Sequence, residues 1–532
     1  MKLLTQHFIS VALLQVACAS EAPLSDERVG AASADADQPA SSVSTSVDAN
    51  QPCSTNRECI ERYDGEPYLC RKSNHRCAWL LNRDCPRYLG DSSDLQNDDA
   101  IYLGLLVVDD LNGTEGEAAV ELARSEIQLA LGGGVRTSAS SPVHPLVIVS
   151  CNTDGGDPIN AARHLTQDVE VSALLGGFVS SNVLSVAQQY TIPEGVLQIA
   201  PSATADPISA LDDHDLVYRA QIPGDILFQV LTPFIDQVVQ PAIYADGMAA
   251  AGEPLRVMMA YEPDGSGVYQ AATIAKYLRI NGQPVPRSGS AFYRELRLDK
   301  PDLLNPQPLS LIAARAISDF RPHFIIYQTQ DAAILRAVES EWPAGVPKPY
   351  FIVSAGFSAQ LPGFVGADAA LRRRAFAFLG LPEGFEQAAF DQWAEGLRSS
   401  SRLSRPISRV YGPNLYDSLY MLADAISTLG ERQPTGLNLV PGFRRLGGPG
   451  RAVHFGPAEL LDGMAELAAG RNIDYVGVSG MFHYTPEGDR SGLAATACVT
   501  IDEAGNATGL QASGFVYNTR TERVQSSLIT CP

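Results

Sequence analysis

From residue 101 onward the chain repeats one unit: a short apolar run, a turn, and a segment of helical periodicity. IYLGLLVV (101–108) carries no charged side chain, as a strand buried on both faces requires. Residues 116–131 follow with helical spacing and stop at Gly132-Gly133-Gly134. LVIVSC (146–151), a helix over 159–169, ALLGG (173–177), a helix over 183–190 and VLQIAPS (196–202) continue the alternation. Strands separated by helices pair in parallel through right-handed crossovers, so this spacing predicts an α/β doubly wound parallel sheet. The pattern restarts with LRVMMAY (255–261) and helices over 268–280 and 309–320. HFIIYQT (323–329), a helix over 332–342 and YFIVSA (350–355) follow. Two such series predict two lobes. A long helix over 411–429 returns to the first series, and the tail from Tyr475 alternates apolar and polar residues around turns, as antiparallel strands do.

Charge and motifs exclude several functions. Lys+Arg minus Asp+Glu is 39 − 60 = −21, so neither nucleic acid nor anionic lipid is a partner through bulk electrostatics. Lys72 is the one Lys before a Ser or Thr, and Arg71 precedes it, so there is no phosphate-binding GKS/GKT loop. There is no HExxH, GxSxG or CxxC, and the His residues, His164 and His323 among them, sit in no nucleophile or metal motif. Neither catalytic residues nor a cofactor is expected.

Residues 1–19 read as an export signal, with one Lys before the apolar stretch FISVALLQVA. Leu14-Gln15-Val16-Ala17-Cys18 resembles a bacterial lipobox, which would place a lipid on Cys18; Ala17-Cys18-Ala19 is also a small-x-small peptidase site. No transmembrane segment is expected in the mature chain, so any membrane attachment is through that lipid. Residues 20–51, rich in Ala, Ser, Asp and Pro, predict a disordered tether. Cys53, Cys59, Cys70, Cys77, Cys85, Cys151, Cys498 and Cys531 remain, an even number that implies up to four disulfides in an exported protein. Five of them crowd a small module over 52–90 with few aliphatic residues, which crosslinks must hold together. Four can close within the module, Cys85 would then reach Cys151, and Cys498 would close on Cys531, one of many possible pairings. Residues 91–99 read as a second polar linker.

The order of segments over about 100–524 resembles the branched-chain amino-acid-binding proteins of ABC transporters, with the two-lobed type I periplasmic binding fold. GTEGEAAVELARSEIQLALGGG is similar to that family's first helix and stop, CNTDGGDPINAARHL to its acidic loop and Pro-started helix, and LLGGFVSSNVLSVA to its glycine-ended strand and Ser-Ser turn. IAPSATADPIS resembles its ligand loop, VYRAQIPGD and YVGVSGMFHYTPEGD its crossovers, and YGPNLYDSLYMLADAI its returning helix. The resemblance implies a multi-crossover hinge, with lobe one about 100–223 and 383–475 and lobe two about 224–382 and 476–524. It implies a non-enzymatic receptor for a small polar, carboxylate-bearing solute, delivered to an ABC-type permease. A ligand sensor or envelope interaction protein on the same fold is the alternative, motivated by the cysteine module.

Ligands of open α/β sheets bind beyond the carboxyl ends of the strands. There the Ser180-Ser181 turn offers backbone N–H groups and the Ser180 hydroxyl to an anion, with Ser181 expected to cap the helix. The resemblance implies that Ser202 contributes its main chain and Thr204 its hydroxyl. Lobe two departs from the family, with Asp264 and Ser266 in place of a Tyr, Gln330-Asp331 in place of an aromatic, and Ser354-Ala355 in place of an acid. These departures argue against a branched-chain amino acid and leave Asp331 as a candidate partner for a cation. Asp109 and Asp110 follow the first strand near the cleft.

Overall fold

A computed structural model describes residues 52–531 except 109–110, 139, 154–156, 264, 286–290, 300–307, 330, 359, 402, 404–406, 519–520 and 527–530. The expected signal, Cys18, the tether, Asp109, Asp110, Asp264 and Gln330 therefore lie outside the described residues.

Two α/β lobes form around two parallel sheets of the same winding. In lobe one the parallel strands lie in the order Leu146–Asn152, Ile101–Val107, Ala173–Gly176, Leu197–Ala200, Val217–Arg219. In lobe two the order is Tyr293–Arg297, Val257–Tyr261, Phe324–Gln328, Tyr350–Val353, Ala375–Leu381. Both orders reverse beside the first strand, which creates the switch point where ligands bind in open sheets. Ile101–Val107 is buried along its whole length, as its apolar run requires. The tail adds Leu493–Ile501, Ala507–Asn518 and Arg523–Ser526 to lobe two as antiparallel strands.

Most helices follow the sequence periodicity. Leu111–Ala130 and Tyr411–Ile426 pack into the core of lobe one. Leu309–Phe320 and Ala332–Glu341 pack on lobe two. The helix expected over 268–280 is shifted to Gly265–Tyr277, because Arg279–Ile280 turns back onto Gln283–Pro284. Asn281 and Gly282 make that turn at φ 55° and 75°, the geometry of a tight two-residue hairpin. The span Gly224–Ala245 is long and apolar enough to cross a membrane by length and composition. Leu227, Phe228, Leu231, Phe234 and Ile235 along it are instead buried in the lobe-two core.

The disulfides are Cys53–Cys70, Cys59–Cys77, Cys85–Cys151 and Cys498–Cys531. The module does not hang on a linker. Residues 91–99, expected to be one, contain the short helix Ser92–Leu95, and Leu95 is buried with Leu69 and Leu80 of the module and Val147 and Val149 of lobe one. An apolar residue in the linker had somewhere to go. The strand Arg87–Leu89 pairs antiparallel with Leu146–Asn152 and covers the edge of the lobe-one sheet. His164 holds the Leu80 carbonyl at 3.0 Å, which fixes the module from the lobe-one side.

The chain passes between the lobes at 220–223, 382–386 and 482–492. Fully buried Arg490 joins the first and third of these connections to the helix Tyr411–Ile426. Its guanidinium donates to the Ala220 carbonyl at 2.8 Å, to Asn414 Oδ1 at 3.2 Å, and to Ser479 Oγ at 3.0 Å, and lies 3.7 Å from the Phe482 ring centroid. Beside it Asp417 accepts from the Val478 and Ser479 N–H groups at 2.8 and 2.9 Å and from the Ser479 hydroxyl at 2.6 Å. Burial raises the Asp417 carboxyl to about 6 and lowers Arg490 to about 10. Arg219, also fully buried, donates to Asp489 at 2.7 Å and to the Ala205 carbonyl at 3.0 Å.

Candidate functional site

A cleft of about 130 Å³ lies between the lobes, beyond the carboxyl ends of strands from both sheets. Lobe one supplies Phe178, Val179, Ser180, Ser202, Thr204 and Tyr411; lobe two supplies Phe228, Glu262, Gly267, Gln270, Gln328, Thr329, Ser354 and Phe378. Two aromatic pairs face it edge to face, Phe178–Tyr411 with centroids 5.0 Å apart and Phe228–Phe378 at 5.4 Å.

Gly176 and Gly177 bring the lobe-one loop into place at φ 129° and 87°. A Cβ on Gly176 would stand 2.4 Å from the Leu106 carbonyl oxygen, so only glycine lets the loop leave its strand there. The helix Ser180–Val186 then starts with Val179 as its cap residue, so Ser181 is one residue inside the helix rather than its cap. The chain turns extended at Val179, and the cap side chain makes no bond there.

Ser180 is buried, and its Oγ accepts from the Thr204 and Ala205 N–H groups, each at 3.2 Å. Ser202 donates to the Phe178 carbonyl at 2.7 Å. These bonds tie the two lobe-one loops into one surface. The Ser180 O–H remains able to donate into the cleft. Thr204 Oγ1 accepts from Gln270 Nε2 of lobe two at 3.3 Å. Tyr269, on the same helix as Gln270, packs against Val183, Leu184 and Ala200 of lobe one, and Lys276 lies 4.0 Å from Asp206. The lobes thus touch along one rim of the cleft.

The expected lobe-two residues divide. Ser354 lines the cleft, and its hydroxyl accepts from the Phe357 N–H at 3.2 Å. Asp331 is exposed and caps the helix Ala332–Glu341, accepting from the Ala333 N–H at 2.8 Å, and it does not line the cleft. Ser266 lies in the helix Gly265–Tyr277, its side chain outside the description, as is Asp264 entirely.

Three further lobe-two residues that no motif in the sequence marks, Glu262, Gln328 and Thr329, line the cleft. Glu262 is the one Asp or Glu among the described lining residues, none of which is Lys, Arg or His, and its carboxylate is bonded to the Thr329 hydroxyl. Gln328 is 4 % exposed, and among the described residues neither its Oε1 nor its Nε2 has a hydrogen-bond partner. Its signal was a Gln closing the otherwise apolar run HFIIYQT, two residues before the Gln330-Asp331 pair.

No protein-family model matches the chain, and no curated protein matches it in sequence. Solved structures do. The substrate-binding protein of a branched-chain amino-acid transporter from Streptococcus pneumoniae, in complex with isoleucine, is 14% identical with a TM-score of 0.52, over 78% of this chain and 99% of that one. A solute-binding protein of an ABC transporter from Rhodopseudomonas palustris, in complex with 3,4-dihydroxybenzoic acid, is 12% identical with a TM-score of 0.54, over 81% and 99%. A leucine-binding protein from Thermotoga maritima is 13% identical with a TM-score of 0.51, over 79% and 100%. The chain has the two-lobed type I periplasmic binding fold. In that fold the cleft between the lobes lies at the switch points of both sheets, where Ser180 and Gln328 stand on opposite walls. The cysteine module lies on the far edge of the lobe-one sheet, beyond Leu146–Asn152.

Proposed function

We propose that the chain is an exported solute receptor whose lobes close by a hinge over a small polar, carboxylate-bearing solute and deliver it to an ABC-type permease. The observation that carries this reading is the cleft itself, lined by polar and aromatic side chains of both lobes and bridged by the Gln270–Thr204 bond. Ser180, Ser202 and Thr204 offer the lobe-one surface for a carboxylate, through hydroxyl and main chain. Glu262 offers lobe two an acceptor for a cationic or N–H group. The aromatic pairs flank what lies between. Isoleucine and 3,4-dihydroxybenzoic acid, bound by two of the similar structures, each carry a carboxylate. Four disulfides support an oxidising compartment outside the cytoplasm. Binding of this kind needs no catalytic residue, metal or cofactor.

The test is titration calorimetry with isoleucine, leucine, benzoate and 3,4-dihydroxybenzoate, paired with small-angle scattering. One-to-one binding of a carboxylate solute with a smaller radius of gyration is expected. Silence across every carboxylate offered, natural-host metabolites included, would contradict the reading. Cys18 is proposed as a lipid anchor, so Cys18→Ser should release the protein from membranes. A second reading, a sensor or envelope interaction protein without transport, is favoured by the module fastened to lobe one through Cys85–Cys151. Co-purification with a permease separates the two readings.

A further inference from the structure

Gln328 stands at the carboxyl end of the strand Phe324–Gln328, on the lobe-two wall of the cleft. Its amide is buried with both ends unpaired among the described residues: Nε2 lacks an acceptor and Oε1 lacks a donor. A buried amide left so is costly, and folded proteins keep few of them outside functional sites. Neighbouring groups are already committed. Thr329 is bonded to Glu262 and also accepts from the Asp331 N–H at 3.1 Å, while Gln270 reaches across to Thr204. With no partner among the described residues, the group placed to pair Gln328 is one held in the cleft that it lines.

The two unpaired ends limit what that partner is. A carboxylate accepts from Nε2 but sets a negative oxygen against Oε1. An ammonium donates to Oε1 but sets a cation against Nε2. A hydroxyl can donate to Oε1 or accept from Nε2, but its single oxygen meets both ends only through two bent bonds. A primary carboxamide offers a planar C=O and N–H side by side and meets both ends at once.

We propose that Gln328 is a specificity-determining residue that selects a carboxylate solute whose far end is a primary carboxamide. This rests on the receptor reading above, with the carboxylate at the Ser180 and Thr204 wall. Glu262, on the same side of the cleft as Gln328, then receives an amino or second N–H group.

The experiment is calorimetry of the full exported chain with matched pairs: L-glutamine against L-glutamate, L-asparagine against L-aspartate, and succinamate against succinate. At least one amide should bind tenfold or more tightly than its acid, since a site built to bond a polar group rejects the analogue that cannot. Gln328→Leu, with its fold checked by circular dichroism, should bring that ratio to near one, and Gln328→Glu should lower it as well. If Gln328→Leu fails to fold, Gln328→Glu alone carries the comparison. Acids that bind as tightly as their amides, or a ratio unchanged in the variants, overturn the proposal. If leucine or benzoate binds while no amide exceeds its acid, the carboxamide proposal alone falls. If no carboxylate solute binds, the receptor reading falls with it.

Discussion

At the scale of single residues, Ser180 and Thr204 separate structure from binding. Ser180 Oγ is the acceptor for two N–H groups of the adjoining loop. Ser180→Ala leaves both buried and unpaired, which costs about 1–3 kcal/mol each before any ligand is considered. A drop in melting temperature together with weaker binding is expected. Thr204→Ala removes a hydroxyl that accepts one long bond from Gln270. It should leave the melting temperature nearly unchanged and weaken binding about tenfold, as calorimetry and thermal melts will read. Asp424 makes a different point. It is 1 % exposed, neither carboxylate oxygen has a partner among the described residues, and burial pushes its carboxyl well above the ordinary carboxylate range. Folding therefore takes up a proton at this site. Its contribution is full below pH about 3.8 and falls by about 1.4 kcal/mol per pH unit as the pH rises toward the folded pKa. Asp424→Asn carries no such proton, so it should gain on the wild type between pH 5 and pH 8, measured as the difference in urea midpoints at the two pH values. The site was half legible at this scale. Ser180, Ser202, Thr204 and Ser354 sit on turns whose residue types announce them. Asp331 read as a cleft acid, but a carboxylate just before a helix is as well used by the helix's own N–H groups. Gln328 was hidden because a strand's last residue looks like its others until the sheet shows which end opens on the cleft.

At the scale of elements, the strands and long helices were legible because burial on both faces leaves an apolar run and burial on one face leaves a period. What failed was punctuation and context. The Asn281-Gly282 turn ends one helix at Tyr277, three residues before the end its periodicity suggests. Residues 91–99 are polar enough to read as a linker, but the one Leu near their middle, Leu95, is buried against the module and lobe one. The two disulfides inside the module interleave, Cys53 with Cys70 and Cys59 with Cys77, and spacing could not choose that pattern. Cys85–Cys151 joins the segment just before the edge strand Arg87–Leu89 to the neighbouring strand Leu146–Asn152 across 66 residues. Replacing both cysteines with Ser should cost up to about 4 kcal/mol from loop closure. Protease digestion should then attack the module before the lobes. The hinge depends on Arg490, whose partners come from the first crossover, the returning helix and the third crossover. Arg490→Met leaves the Ala220 carbonyl and Asp417 without their cation, and removing one member of a buried charged network costs about 3–5 kcal/mol. Denaturant unfolding should show that loss, while Arg336→Met, at an exposed helix position, should not.

At the scale of the whole molecule, two sheets of one winding border a shared cleft, and three chain crossings, the first and third of them joined by Arg490, set the hinge. The α/β class and the two lobes followed from the repeated unit of the sequence. The way the cysteine module joins lobe one did not, because its contacts are made by residues far apart in the chain, such as His164 with Leu80. Its position beyond Leu146–Asn152 leaves the cleft to the two lobes. The central claim is that this cleft binds a small carboxylate solute through the Ser180 and Thr204 loops. Calorimetry of the wild type beside a Ser180→Ala/Thr204→Ala double variant, with the solute the wild type binds, tests it most directly. Affinity weaker by roughly ten- to a hundred-fold in the double variant, corresponding to about 1.4–2.8 kcal/mol, is the expected result. Unchanged affinity in a double variant that is still folded would contradict the account and move the site away from these loops.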